Sequence, residues 1–225
     1  MSSNITTKDK IRLILYMPKY WLYDYPKLIL HYANMLKHAD WDTLLTTLDM
    51  NKSPEDAVSY EMHSKDHIKL RIKGKDVVDL GAYYADTAIY YAKRGAKHVY
   101  AYEARQQLVN KGKLFIKKNR LESKISLYCK FVDADSLAKI VKTHKLRNAA
   151  MKIDIEGGER DIICKATDDT LRHFSQIHVE CHYGYLDIEK RLQKAGFKTE
   201  HTAPIYTYKG LKRPAMIRCD LYATI

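Results

Sequence analysis

From His67 to Ala195 the chain alternates short apolar runs with helical stretches, and this alternation limits the fold more than any other feature. His67-Ile-Lys-Leu-Arg-Ile has period two and predicts a strand. Asp76-Val-Val-Asp-Leu-Gly is a short apolar run stopping at glycine, as buried parallel strands do. The pattern then predicts helix 87–94, strand 98–102, helix 105–119, strand 125–132 and helix 135–144. Strand 149–155, helix 158–164, strand 176–181 and helix 186–195 follow. Strands and helices at this spacing require right-handed crossovers and a parallel sheet covered on both faces. Residues 197–202 and 215–224 read as two further strands around a loop holding Lys209-Gly-Leu-Lys-Arg-Pro, forming an antiparallel edge. The expected class is α/β, doubly wound and Rossmann-like.

Residues 1–64 have a different texture. Pro26 can open a helix carrying Leu28, Ile29, Tyr32, Ala33 and Leu36 at helical spacing. Asp40 suits the N-cap of a helix with Trp41, Leu44, Leu45 and Leu48, and Ser53-Pro54-Glu55-Asp56 reads as a further helix start. The expected organisation is a helical extension or cap over 1–64 and the α/β domain over 65–225. No apolar run approaches the roughly 20 residues that span a bilayer, and the N-terminus lacks the apolar core of a signal peptide. Cys129, Cys164, Cys181 and Cys219 are scattered, without a Cys-x-x-Cys pair, which fits reduced thiols in a cytoplasmic chain. The formal net charge of +12 would attract RNA or another anionic partner, but charge speaks to association and not to fold.

In an open α/β sheet, ligands bind beyond the carboxyl ends of the strands, so those ends carry the chemistry. Asp79-Leu-Gly-Ala-Tyr-Tyr-Ala-Asp86 closes the first core strand. Gly81 permits a tight turn and close approach of a ligand to the backbone; Asp79 lies beside the turn, and Asp86 can cap the next helix. The glycine fingerprint of dinucleotide sites is absent, which disfavours NAD. Glu103 ends the next strand, where an acid can accept hydrogen bonds from both hydroxyls of a ribose; its alternative is a first-turn acid of the following helix. Asp133 ends the third strand and could receive an adenine amino group, with Asp135 as N-cap of the next helix.

Met151-Lys-Ile-Asp-Ile-Glu-Gly-Gly-Glu-Arg160 is the most specific string. Alternation sets Ile153 and Ile155 on one face and Lys152, Asp154 and Glu156 on the other. Asp154 and Glu156 then reach the site edge, where crowded carboxylates could supply a general base; alternatively Asp154 orders backbone amides while Glu156 and Glu159 favour the helix start. On the fifth strand His178, Glu180 and His182 share a face, and His182, nearest the strand end, is a candidate base or a structural histidine. Metal binding by this His-x-Glu-x-His run with Asp154 nearby is a competing reading, which its loose spacing and the lack of a Cys-x-x-Cys pair disfavour, and no metal is assigned.

Val77-Val-Asp-Leu-Gly-Ala, Val99-Tyr-Ala-Tyr-Glu, Met151-Lys-Ile-Asp-Ile-Glu-Gly-Gly-Glu and Val179-Glu-Cys-His, in that order, resemble the FkbM-like methyltransferases. These belong to the class I S-adenosylmethionine-dependent superfamily. The resemblance covers roughly residues 75–197. It implies a seven-stranded, mostly parallel sheet with an antiparallel last strand, and S-adenosylmethionine as cofactor. It implies that Asp79, Gly81 and Glu103 hold the cofactor together with the turn residues Ala82 and Tyr83, and that Asp154, Glu156, Glu180 and His182 line the methyl-acceptor side. The reaction implied is methyl transfer to an oxygen of a small-molecule or anionic acceptor. The chain departs from the family pattern at Ala85, where glycine is usual, and at Tyr83, where a small polar residue is usual. Two alternatives follow: an RNA methyltransferase of the same fold, using Lys111, Lys113, Lys117, Lys118 and Arg120 on phosphates, or a degenerate fold kept as a binding module.

Overall fold

The computed structural model describes residues 69–182, 184–202, 205–207 and 216–225, of which 205–207 and 216–218 are described by backbone alone. The helices expected in 1–64 and the loop at 209–214 lie outside the described residues. Five parallel strands, β1 (Asp76–Leu80), β2 (His98–Glu103), β3 (Ile125–Cys129), β4 (Ala149–Ile153) and β5 (Phe174–Cys181), alternate with helices. β6 (Lys198–His201) and β8 (Met216–Thr224) complete a seven-strand path in the order β3-β2-β1-β4-β5-β8-β6, and β8 is antiparallel to both neighbours. This is the mostly parallel, doubly wound sheet that the sequence predicts. Among the described residues no helix is long and apolar enough to cross a membrane.

Two compact units divide the chain. Among the described residues, 69–202 with 219–225 form one unit, which holds the seven-strand path with β8 from Cys219 on, and 205–207 with 216–218 belong to the other, where β7 (Ile205–Thr207) pairs antiparallel from Ile205↔Arg218 to Thr207↔Met216. Within the larger unit each central strand buries both faces, as crossover helices demand. Val78, Leu80, Met151, Ile153, Ile177 and Val179 enter one apolar cluster. It is covered by α3 (Ala134–Thr143), α4 (Glu159–Lys165), α5 (Asp168–Arg172) and α6 (Leu186–Lys194), through Leu137, Ile140, Ile162, Ile163, Leu171, Ile188 and Leu192. Val77, Val99, Ala101 and Ala150 face the opposite cluster, covered by α1 (Asp86–Lys93) and α2 (Gln106–Lys118) through Ala88, Ile89, Ala92 and Ile116.

The strand expected over 67–72 does not form in its described part. Leu70 and Ile72 are buried while Lys69 and Arg71 are exposed, so the period-two burial is real. The backbone of Arg71, however, bonds a side chain: its amide donates to Gln176 Oε1 at 2.7 Å, and its carbonyl accepts from Gln176 Nε2 at 3.0 Å. β3 and β4 also stop earlier than expected, at Cys129 and Ile153, which lengthens the loops beyond their ends.

Candidate functional site

A cleft of about 540 Å³ opens at the carboxyl ends of β1, β2 and β4. Its first wall is the turn after β1. Gly81 adopts φ 82°, and a β-carbon there would overlap the carbonyl of Asp154. The close approach that requires glycine is therefore made by the protein's own β4 end. The amides of Gly81 and Ala82 both donate to the Tyr102 carbonyl, at 2.9 and 3.0 Å, so the turn is tied to β2. Tyr83 at φ 48° and Ala85 at φ 62° both hold left-handed backbone. Each costs of order 1–3 kcal/mol, a strain typical of turns that serve a site. Ala85, rather than Asp86, occupies the N-cap position of α1, and Asp86 is its first helical residue.

The second wall is Glu103, 5% exposed at the end of β2. Its Oε2 accepts from the Tyr83 amide at 3.2 Å, and its Oε1 from the amide and Nε of Arg105 at 2.9 and 3.0 Å. The acid thus joins both loops at the cleft mouth and also serves the start of α2. The Arg105 guanidinium lies 5.7 Å from the centre of the Tyr83 ring. Lys130, Phe131 and Val132 line the cleft beyond β3. Asp133 does not: it is the N-cap of α3, accepting from the Ser136 amide at 2.8 Å, and Ser136 holds its carboxyl below the usual value. The expectation that Asp135 caps this helix is corrected accordingly.

The third wall comes from β4. Asp154 and Glu156 line the cleft together with Lys152, but so does Ile155, which alternation set on the other face, because β4 ends at Ile153 and the chain beyond it no longer alternates. Lys152 is buried in an otherwise apolar strand, with its ammonium 3.3 Å from Asp154 and 3.6 Å from Asp79. Burial opposes its charge, but the carboxylates of Asp154 and Asp79 outweigh that and hold it well above the ordinary lysine value. Asp79 is fully buried, accepts from the Thr87 hydroxyl at 2.7 Å, and does not line the cleft. Ala82, also fully buried, does not line it either. Both expected cofactor contacts instead support the wall from behind.

His182 lies in this supporting layer, 2% exposed. Its Nδ1 is 2.9 Å from Glu159 Oε1, and its Nε2 is 3.3 Å from Glu180, 3.6 Å from Asp154 and 3.7 Å from Glu156. Burial works against its charge, yet Glu159, Glu180 and Asp154 overcome it and push the imidazole up to about 10. With carboxylates facing both ring nitrogens and the ring buried behind the cleft wall, the geometry favours the structural alternative for His182 over a base that meets an acceptor. Glu159 does more than favour a helix start: its Oε1 also accepts from the amides of Ile155 and Gly157, at 3.2 and 2.9 Å. His178 stands apart, 2.8 Å from Asp220 and stacked on Tyr222. The roles of Lys152, Arg105 and Phe131 were missed in the sequence. A lysine inside the apolar run Ala149-Ala-Met-Lys-Ile153 was the available signal, because a buried ammonium needs carboxylate partners.

No family model and no curated protein matches this sequence. Solved structures do match its fold. A precorrin-6y C5,15-methyltransferase from Geobacter metallireducens is 16% identical with a TM-score of 0.50, covering 79% of this chain and 93% of that one. An S-adenosylmethionine-dependent O-methyltransferase from Thermotoga maritima is 15% identical, TM-score 0.50, covering 80% and 69%. TrmK from M. capricolum, solved in complex with S-adenosylhomocysteine, is 15% identical, TM-score 0.52, covering 72% and 69%. The chain shares the Rossmann-like fold of these methyltransferases.

Proposed function

We propose that the chain is an S-adenosylmethionine-dependent methyltransferase of the FkbM type, acting on an oxygen of a small hydroxylated acceptor. The observation that carries this reading is Glu103, a buried carboxylate at the end of β2 that joins the two loops at the cleft mouth. An ionised carboxylate offers about four acceptor positions, and three hydrogen bonds leave capacity for ribose hydroxyls. Gly81, Tyr83 and Glu103 would hold the nucleoside and methionine parts, with the exposed ring of Phe131 offering an apolar face. The cleft volume falls within the range of small-molecule sites. The names of the structural neighbours support the same cofactor.

Bound there, S-adenosylmethionine supplies an electrophilic sulfonium methyl group. The chain's part is positioning and proton management. Asp154 and Glu156 would orient the acceptor hydroxyl, and one of these carboxylates would accept its proton as the methyl group leaves the sulfonium sulfur for the oxygen, the thioether being the leaving group. Lys152 fixes Asp154 from below.

Calorimetric titration with S-adenosylmethionine and S-adenosylhomocysteine tests the reading. Glu103→Ala is expected to weaken both ligands by about 1.5–3 kcal/mol, the value of hydrogen bonds to a charged group. Unchanged affinity would remove Glu103 from the site. A folded wild type that binds neither ligand would favour the binding-module alternative.

A further inference from the structure

Beyond the cofactor cleft, one constellation has no part in the mechanism above except through Asp154 and Glu156. One oxygen each of Asp154 and Glu180 and one ring nitrogen of His182 all lie within 4.8 Å of one another. These donors come from the ends of two neighbouring strands, β4 and β5, so the sequence could suggest the grouping of Asp154 with the β5 run but not the distances that bring Glu180 and His182, without His178, to it. We infer that Asp154, Glu180 and His182 form a divalent-cation site, suited to a first-row ion such as Mn²⁺, with Glu159 as its positioning residue.

Three observations carry this inference. The first is distance. His182 Nε2 stands 3.6 Å from Asp154 Oδ1 and 3.7 Å from Glu156 Oε2, too far for good hydrogen bonds. Donor atoms around an octahedral ion with bonds of about 2.1 Å are roughly 3.0 Å apart when adjacent and 4.2 Å when opposite. The distances from Nε2, including 3.3 Å to Glu180 Oε1, fall in that interval, and Asp154 and Glu180 have oxygens within 4.8 Å of each other. The second is orientation. Metal-bound histidines almost always donate their other ring N–H to a carboxylate or carbonyl. Glu159 accepts at Nδ1, is itself 2% exposed, and is held by the amides of Ile155 and Gly157. This fixes the ring with Nε2 toward Asp154, Glu156 and Glu180. The third is access. Glu180 and His182 are buried, whereas Asp154 and Glu156 line the cleft, so an ion would keep positions open to water or to an acceptor oxygen.

A donor set of one imidazole and two carboxylates fits manganese, iron or zinc better than calcium. On the methyl-transfer reading, on which its chemical role rests, the ion would align the acceptor and lower the pKa of the hydroxyl it touches. The binding itself does not depend on that reading.

The test is a Mn²⁺ titration of the chelator-treated full chain, followed by the paramagnetic resonance of the free ion. Competition by Mg²⁺, Zn²⁺ and Ca²⁺ then ranks preference. One ion per chain is expected, with affinity reduced about 10- to 100-fold or more by Asp154→Asn and by Glu180→Gln. Glu159→Ala should weaken it similarly, while Glu159→Gln, which can still accept from Nδ1–H, should restore part of the loss. Circular dichroism checks each fold; if Glu180→Gln does not fold, Asp154→Asn at the cleft carries the test. A wild type that leaves the free-ion signal unchanged at millimolar Mn²⁺, or folded ligand variants that bind as wild type does, would overturn the inference. Calorimetry with S-adenosylmethionine separates the two readings. Cofactor binding without Mn²⁺ binding sinks the cation site alone, and Mn²⁺ binding without cofactor binding sinks the transferase reading alone.

Discussion

Glu156 holds φ 61°, a left-handed backbone that costs a residue with a β-carbon about 1–2 kcal/mol. Its side chain is 66% exposed, so little packing is lost if it is removed. Glu156→Gly is therefore expected to leave stability unchanged or raise it by up to about 1 kcal/mol, the strain relief being offset in part by unfolded-chain entropy. Glu159→Ala removes a buried carboxylate that serves two amides and the His182 ring. It is expected to cost about 3 kcal/mol. Urea denaturation of both variants reads the contrast, and the reverse order would show that this turn stores no strain. Asp154 and Glu156 were legible because they follow directly on the carboxyl end of a buried strand and precede the glycine pair, although alternation itself stops at Ile153. Lys152 was not, because period two assigns a face but not the partner across it. Nor was Glu159 legible as the support of His182, since that contact depends on a tertiary approach between α4 and β5.

At the scale of elements, β2, β3 and the end of α3 share a layer of rings. Tyr100 stacks on His144 with ring centres 3.8 Å apart, the Tyr102 hydroxyl is 2.9 Å from His144 Nε2, and His98 Nε2 is 2.9 Å from Ser126 Oγ. Burial lowers the pKa of both His98 and His144. A histidine whose folded value is depressed takes up protons more readily in the unfolded chain. Stability from this pair is thus complete above the unfolded value, near 6.5, and is lost as pH falls below it. The thermal midpoint should decline on acidification from neutral pH, and His98→Gln with His144→Gln should flatten that decline. An identical acid limb in the double variant would refute the assignment. Long elements were legible from their periodicity, whereas α5 and β7 are too short to show one. The strand expected over 67–72 failed because alternation reports burial, not hydrogen bonding. There the Gln176 side chain took the place of a neighbouring strand for Arg71.

For the whole molecule the question is what the charge of +12 serves. It is not concentrated in the cleft, where Asp86, Glu103, Asp154 and Glu156 stand with Arg105, Lys130 and Lys152. Part of it lies on α2, whose Lys113, Lys117 and Lys118 are exposed. This helix begins next to Arg105 at the cleft mouth, and at about 1.5 Å per residue Lys113, Lys117 and Lys118 lie roughly 10.5, 16.5 and 18 Å along its axis. These distances reach or exceed the roughly 10 Å over which exposed charges act at moderate salt. Neutralising these lysines together (K113Q, K117Q, K118Q) is therefore expected to leave S-adenosylmethionine affinity within about twofold, since surface changes away from a site seldom exceed about 0.5 kcal/mol. The same variant should elute from heparin at lower salt, because polyanion binding scales with the phosphates or sulfates neutralised. With a small hydroxylated acceptor, turnover should be that of the wild type. A turnover on RNA that falls together with heparin retention would instead make α2 the acceptor platform and the RNA reading the better one.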